Sequence, residues 1–189
     1  MRYLVSGEKG FLLSHCLDEL EGEIIHYDFG KQYYNIDTVI HFASPNDKYE
    51  FENKSNMAFS MVNYSISILK QSIYNDAKFI FASSEAAEHP DNDYGIYKLF
   101  FERYIQGLTD NHLIYRIPRV YGEKRTKGLM KQLRMNEVDI NDYENEIEYI
   151  DIEVFKKWFL SNIDEYGTLQ YTGDYSKNTI SQIKERYIK

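Results

Sequence analysis

Two rhythms of apolar and polar positions alternate along the chain. Short, largely apolar runs at Arg2 to Ser6 (RYLVS), Glu23 to Tyr27 (EIIHY), Asp37 to Ala43 (DTVIHFA), Lys78 to Ala82 (KFIFA) and His112 to Ile117 (HLIYRI) read as five strands. Between them, apolar residues recur every three or four positions. That spacing predicts helices over Phe11 to Leu20, Asn56 to Ile73 and Tyr94 to Leu108. Strands apolar on both sides belong to a sheet covered on both faces. Their alternation with helices predicts parallel βαβ units and an α/β fold. From Gly122 onward the pattern changes. It predicts a helix over Lys127 to Met135, a short strand at Tyr149-Ile150 and an amphipathic helix over Asp151 to Ile163. A strand over Thr168 to Thr172 and a last helix over Thr179 to Ile188 follow. No repeat or long linker interrupts the chain. Residues 123–189 are therefore expected to form a small lobe packed on a core of residues 1–122, one compact unit.

Composition narrows the function. The 189 residues suit one domain at about 150 residues each. Thirty acidic residues against 22 basic ones give a net charge of −8, which argues against nonspecific nucleic-acid or anionic-membrane binding. No apolar run approaches the ~20 residues of a membrane span. The N-terminus turns polar after five residues and is not expected to be a signal peptide. The single cysteine, Cys16, permits neither an intramolecular disulfide nor a cysteine-based zinc site, and His26, His89 and His112 have no partners at metal spacing. A cytoplasmic protein without a metal is expected. Positive charge concentrates at Arg116, Arg119, Lys124, Arg125, Lys127, Lys131 and Arg134 against one acid, Glu123. Such a patch either receives a small anion or is a solvated face.

Three local features carry candidate chemistry. Gly7-Glu8-Lys9-Gly10 lies between the first strand and the first helix. Glycines there let the backbone turn sharply and approach a pyrophosphate; a plain strand–helix turn is the alternative. Leu13 stands where a third glycine would allow close helix packing. Asp28 follows the second strand, 21 residues after Gly7. Its carboxylate suits a ribose 2′-hydroxyl and repels a 2′-phosphate, unless it is an ordinary surface aspartate. Lys9, in the glycine turn, would attract that phosphate. Finally, Tyr94 and Lys98 share one helix face at i and i+4. An ammonium beside a phenol lowers its pKa and fits it for proton exchange, although the YxxxK spacing also arises by chance.

These features fall in a familiar order. MRYLVSGEKGFLLSHCLDEL, DTVIHFAS, the helix containing Asn63, KFIFASSE, YGIYK and RIPRVYGE together resemble the short-chain dehydrogenase/reductase superfamily. The likeness is to its extended branch, the NAD-dependent nucleotide-sugar epimerases and dehydratases, and it runs from Met1 to about Gly122. EYIDIEVF and GTLQYTGD continue it loosely. It implies a Rossmann-like, doubly wound parallel sheet and hydride transfer between a sugar carbon and a nicotinamide. It also implies roles for individual residues. Gly7, Lys9, Gly10, Phe11 and Leu12 would surround the cofactor pyrophosphate, and Asp28 would hold the adenosine ribose. Ala43 and Ser44 would line the cofactor's path, and Pro118 would face the nicotinamide. Asn63 would support Lys98 through water. Ser84 would hydrogen-bond the substrate oxygen, Tyr94 would be the acid/base, and Lys98 would bind the nicotinamide ribose and depress the Tyr94 pKa. The cofactor implied is NAD, with NADP left open by Lys9. The substrate implied is a nucleotide sugar.

The departures from the family pattern matter as much. Thr38 comes ten positions after Asp28, so the usual third strand and its helix are missing. The Ser84–Tyr94 segment is short. The arginine that grips nucleotide phosphates is absent from ENEIEYID, which leaves Arg119, Arg125 and Lys127 as candidates for that task. Glu85 matches the first of a dehydratase acid pair whose second member is Ala86; it is either an acid or a surface carboxylate. His41 is expected to be a satisfied core histidine and Cys16 a small core residue. Helices 56–73 and 94–108 are apolar beyond one stripe, which suits an isologous homodimer interface or coverage by the lobe. Two further readings stay open: a catalytically weak dinucleotide-binding module for redox sensing or scaffolding, and a 4-keto-sugar reductase.

Overall fold

The computed structural model describes residues 1–43 and 55–188, with side chains except at residues 55–60. Six strands form one sheet: β1 Arg2–Ser6, β2 Glu23–His26, β3 Thr38–His41, β4 Lys78–Ser84, β5 His112–Ile117 and β8 Gly167–Gln170. Their order is β2-β1-β3-β4-β5-β8, and every neighbouring pair is parallel. The chain passes from β2 to β3 with no further strand or helix between them, so β2 is the sheet edge. This is the doubly wound parallel sheet lacking one strand that the sequence predicts.

Alternate residues of each strand feed two separate cores. Leu4, Val39, Phe79, Phe81 and Ile114 point to the face covered by α1 (Ser55–Asn75) and α2 (Asp93–Gln106), where Ile68, Leu69, Phe101 and Ile105 meet them. Val5, Ile40, Ile80, Leu113 and Tyr115 point to the other face, covered by Leu13, Cys16 and α4 (Ile152–Ser161). That two-sided burial is why the strands are apolar throughout.

Two expectations are corrected. The helix predicted over Phe11 to Leu20 is a pair of 3-10 turns, Leu13–His15 and Leu17–Glu19. Leu13 is fully buried against β1, where a glycine would have let a helix lie close. The tail is also divided differently. α4 and β8 complete the main sheet layer instead of joining the lobe. The lobe proper consists of β6 (Val120–Tyr121), α3 (Leu129–Met135), β7 (Glu146–Asp151), β9 (Ser176–Thr179) and α5 (Ile180–Tyr187). It has its own small core around Tyr121, Met130, Leu133, Tyr149 and Ile183. Thr179 caps α5 in a reciprocal capping box with Gln182. No described helix is long and apolar enough to cross a membrane.

Candidate active site

A cleft of about 800 Å³ opens at the carboxyl ends of the strands, where ligands bind in open α/β sheets. The glycine turn, with Phe11, Leu12 and Phe42, lines one part. Ser84, Glu85, Tyr94 and Lys98 line another, and Pro118, Arg119, Arg125, Glu148 and Tyr175 complete it.

Local sequence places the central groups. Asn92 caps α2 by accepting from the Gly95 amide at 3.0 Å, so Tyr94 lies in the first turn. Gly95 is required there: a Cβ would lie 2.5 Å from the Ala86 carbonyl oxygen. The missing side chain lets α2 close onto the 3-10 turn Glu85–Ala87 at the end of β4. Ser84 caps that turn by accepting from the Ala86 amide at 3.3 Å, and it lines the cleft together with Tyr94. Lys98 is 1% exposed. Its ammonium donates to the Ala82 carbonyl at 2.6 Å and stands 5.7 Å from the Tyr94 ring centroid.

The electrostatics differ from expectation. Burial pushes Lys98 down to about 7, with Glu102 opposing the shift. Burial also raises the Tyr94 phenol, while Ser84 and Arg125 pull it down. The net shift of the Tyr94 phenol is upward. Lys98 faces a carbonyl, and at neutral pH it is only partly charged.

Buried polar pairs support the site. Glu102 accepts from the Ser83 hydroxyl at 2.5 Å and from Arg116 at 2.8 Å. His41 is the satisfied core histidine expected: Ser6 lies 2.6 Å from its Nδ1 and Ser65 lies 2.7 Å from its Nε2. Burial holds it neutral, with its pKa near 3. Cys16 is a fully buried core residue whose thiol burial pushes up to about 12.

Not every candidate reaches the cleft. Lys9 and Lys127 are exposed and outside its lining. Asp28 is exposed and ion-paired with Lys31 at 2.6 Å, which holds its carboxyl below the usual range. Ala43 packs behind Gly7, whose φ of +85° and backbone neighbours at 2.5 Å leave no room for a side chain. Ser44 lies outside the described residues. Asn63 is exposed on α1, and the buried face carries Ser65 in its place; the helical phase turns Asn63 away from Lys98. Conversely, Phe42, Glu148 and Tyr175 line the cleft without having been expected there. Tyr175 donates a hydrogen bond to the Glu85 carboxylate, and together with burial that contact raises its phenol.

The residues present fit a dinucleotide: the tight glycine turn would admit a pyrophosphate, and the cleft runs from it to Tyr94 and Lys98. No protein-family model matches the sequence, and no curated protein matches it either. Solved structures share its fold. A dTDP-4-dehydrorhamnose reductase from Bacillus anthracis, in complex with NADP, superimposes with a TM-score of 0.74 at 16% identity, over 98% of this chain and 80% of that one. A dTDP-4-dehydrorhamnose reductase from Clostridium acetobutylicum gives 0.75 at 17% identity, over 98% and 80%. A UDP-glucose 4-epimerase from Thermus thermophilus, in complex with NAD, gives 0.72 at 17% identity, over 97% and 81%. The chain has the Rossmann fold of these proteins.

Proposed function

We propose that this protein is an NAD(P)-dependent oxidoreductase of the extended short-chain dehydrogenase/reductase type, acting by hydride transfer on a nucleotide sugar. The observation that carries the reading is that Ser84, Tyr94 and Lys98 converge in one cleft whose other end is the glycine turn. Its likeness in fold to reductases and epimerases of nucleotide sugars supports the substrate class.

Within this reading, Gly7, Gly10, Phe11 and Leu12 hold the pyrophosphate, and Lys98 holds the nicotinamide ribose near Pro118. The bound nicotinamide would supply or accept the hydride. Tyr94 exchanges the proton at the sugar oxygen, which Ser84 orients. Arg119 and Arg125 face the phosphates of the nucleotide. Glu85 and Tyr175 contact the sugar ring from the opposite side. Because Lys31 offsets the charge of Asp28, both NADH and NADPH are candidates. A 4-keto-sugar reductase is favoured over a dehydratase, since Ala86 occupies the place of the second acid. The protein is read as a cytoplasmic homodimer, with Ile96 and Phe100 of α2, and Leu108 just beyond it, presented to its copy.

The deciding experiment combines binding and turnover. NADH and NADPH are titrated by fluorescence, then dTDP-4-keto and UDP sugars are offered to the loaded protein. Tyr94→Phe should keep cofactor affinity and lose about 10²- to 10⁴-fold in turnover. Wild-type rates in that variant would remove Tyr94 from the chemistry. Binding without turnover on any sugar would favour a dinucleotide-binding module.

A further inference from the structure

In doubly wound folds the adenosine half of a dinucleotide lies beyond the strand after the glycine turn. Here that strand, β2, is the sheet edge, and among the described residues no following strand or helix walls the far side. An aromatic corner stands there. Phe29, the residue after Asp28, is 63% exposed. Its ring faces Tyr64 of α1, with centroids 6.0 Å apart and planes within 16°. Tyr64 is braced from behind: Tyr27 meets it edge-on at 5.2 Å, and the Tyr64 hydroxyl donates to the Tyr27 carbonyl at 3.5 Å. The Tyr64 ring also lies 6.0 Å from that of His41, at the end of β3. The loop that carries Phe29 is fixed as well. The Tyr33 hydroxyl accepts from the Asp28 amide at 2.9 Å and donates to the His26 carbonyl at 3.2 Å.

We infer that Phe29, backed by Tyr64, is the stacking platform for the adenine ring of the dinucleotide, in place of the pocket wall that a further strand and helix would supply. The inference rests on the cofactor reading above. A flat aromatic surface needs no enclosing pocket, because a base offers its π-face to any ring. The adjacent Asp28 is then level with the ribose.

The test uses the full chain with three probes: NADH, ADP-ribose and reduced nicotinamide mononucleotide, which lacks the adenosine half. Phe29 is exposed, so Phe29→Ala should fold as the wild type does, checked by circular dichroism. It should bind NADH and ADP-ribose about 5- to 150-fold more weakly and bind the mononucleotide unchanged. Phe29→Trp should keep ADP-ribose affinity, and its added indole emission should be quenched on titration. Wild-type affinity for NADH in Phe29→Ala would overturn the platform and leave the cofactor reading intact. So would wild-type protein that binds NADH no more tightly than the mononucleotide. Wild-type protein that binds none of the three would overturn the cofactor reading, and the platform with it.

Discussion

At Lys98 the helix face is legible in the sequence and the charge is not. Its position was legible, because Tyr94 and Lys98 at i and i+4 must share a face once the helix forms. Its pKa was not, because that depends on burial, which comes from the sheet beneath. The folded ammonium titrates at about 7, against 10.5 for a free lysine. Between those values the unfolded chain holds a proton that the folded chain lacks, so stability from this group rises with pH. Urea midpoints measured without added dinucleotide should therefore climb from pH 7 to pH 9 more steeply for the wild type than for Lys98→Met. The difference can reach at most about 1.4 kcal/mol per pH unit for one proton. Parallel profiles would mean that Lys98 is charged and solvated. Tyr175 and Glu148 were invisible at this scale, since only the tertiary fold brings the lobe to Glu85. Asn63 was misplaced because apolar residues spread around α1 do not fix which face points inward.

At the level of elements, the central strands β1, β3, β4 and β5 were legible because two-sided burial leaves them largely apolar. The first helix was not, since its apolar spacing also serves two 3-10 turns that seat Leu13 in the core. Nor could spacing assign β8 to the main sheet, because strand pairing is long-range. The junction of α2 with the turn after β4 is the contact on which the site depends. Gly95 is buried in it, with the Ala86 carbonyl and the Pro90 Cα on the side where a Cβ would point. Both obstacles are backbone, so Gly95→Ala must shift α2 as a unit. The expected cost is about 1–3 kcal/mol, read from the urea midpoint, together with loss of turnover as Tyr94 moves from Ser84. Full activity with only lowered stability would show that the Ser84–Tyr94 arrangement tolerates the shift.

Over the whole molecule, what is trimmed and what is kept divide cleanly. The sheet keeps the strands that carry the glycine turn, Ser84 and Pro118, and lacks the strand that would flank β2. α1 and α2 lie together on one face of the sheet, while α4 covers the other. Part of the outer surface of α2 is open. Ile96 is 54% and Phe100 52% exposed one turn apart on α2, and Leu108 is 48% exposed just beyond its last residue, Gln106. Phe100 also stacks on Tyr104 at 6.1 Å, which widens the apolar surface. A stripe on one helix is self-complementary under a two-fold axis, the commonest symmetry of homo-oligomers. A charge at its centre would face its own copy across that axis, where like charges oppose pairing. Phe100→Glu should therefore run as a monomer by light scattering at concentrations where the wild type is a dimer. Its fold should be intact, because exposed substitutions usually change stability by no more than about 0.5 kcal/mol. The cleft lies at the strand ends and α2 carries Tyr94 and Lys98 on its inward face, so the monomer should still bind dinucleotide. A wild type that is itself monomeric would leave the stripe without this role, and a Phe100→Glu dimer would place the interface elsewhere.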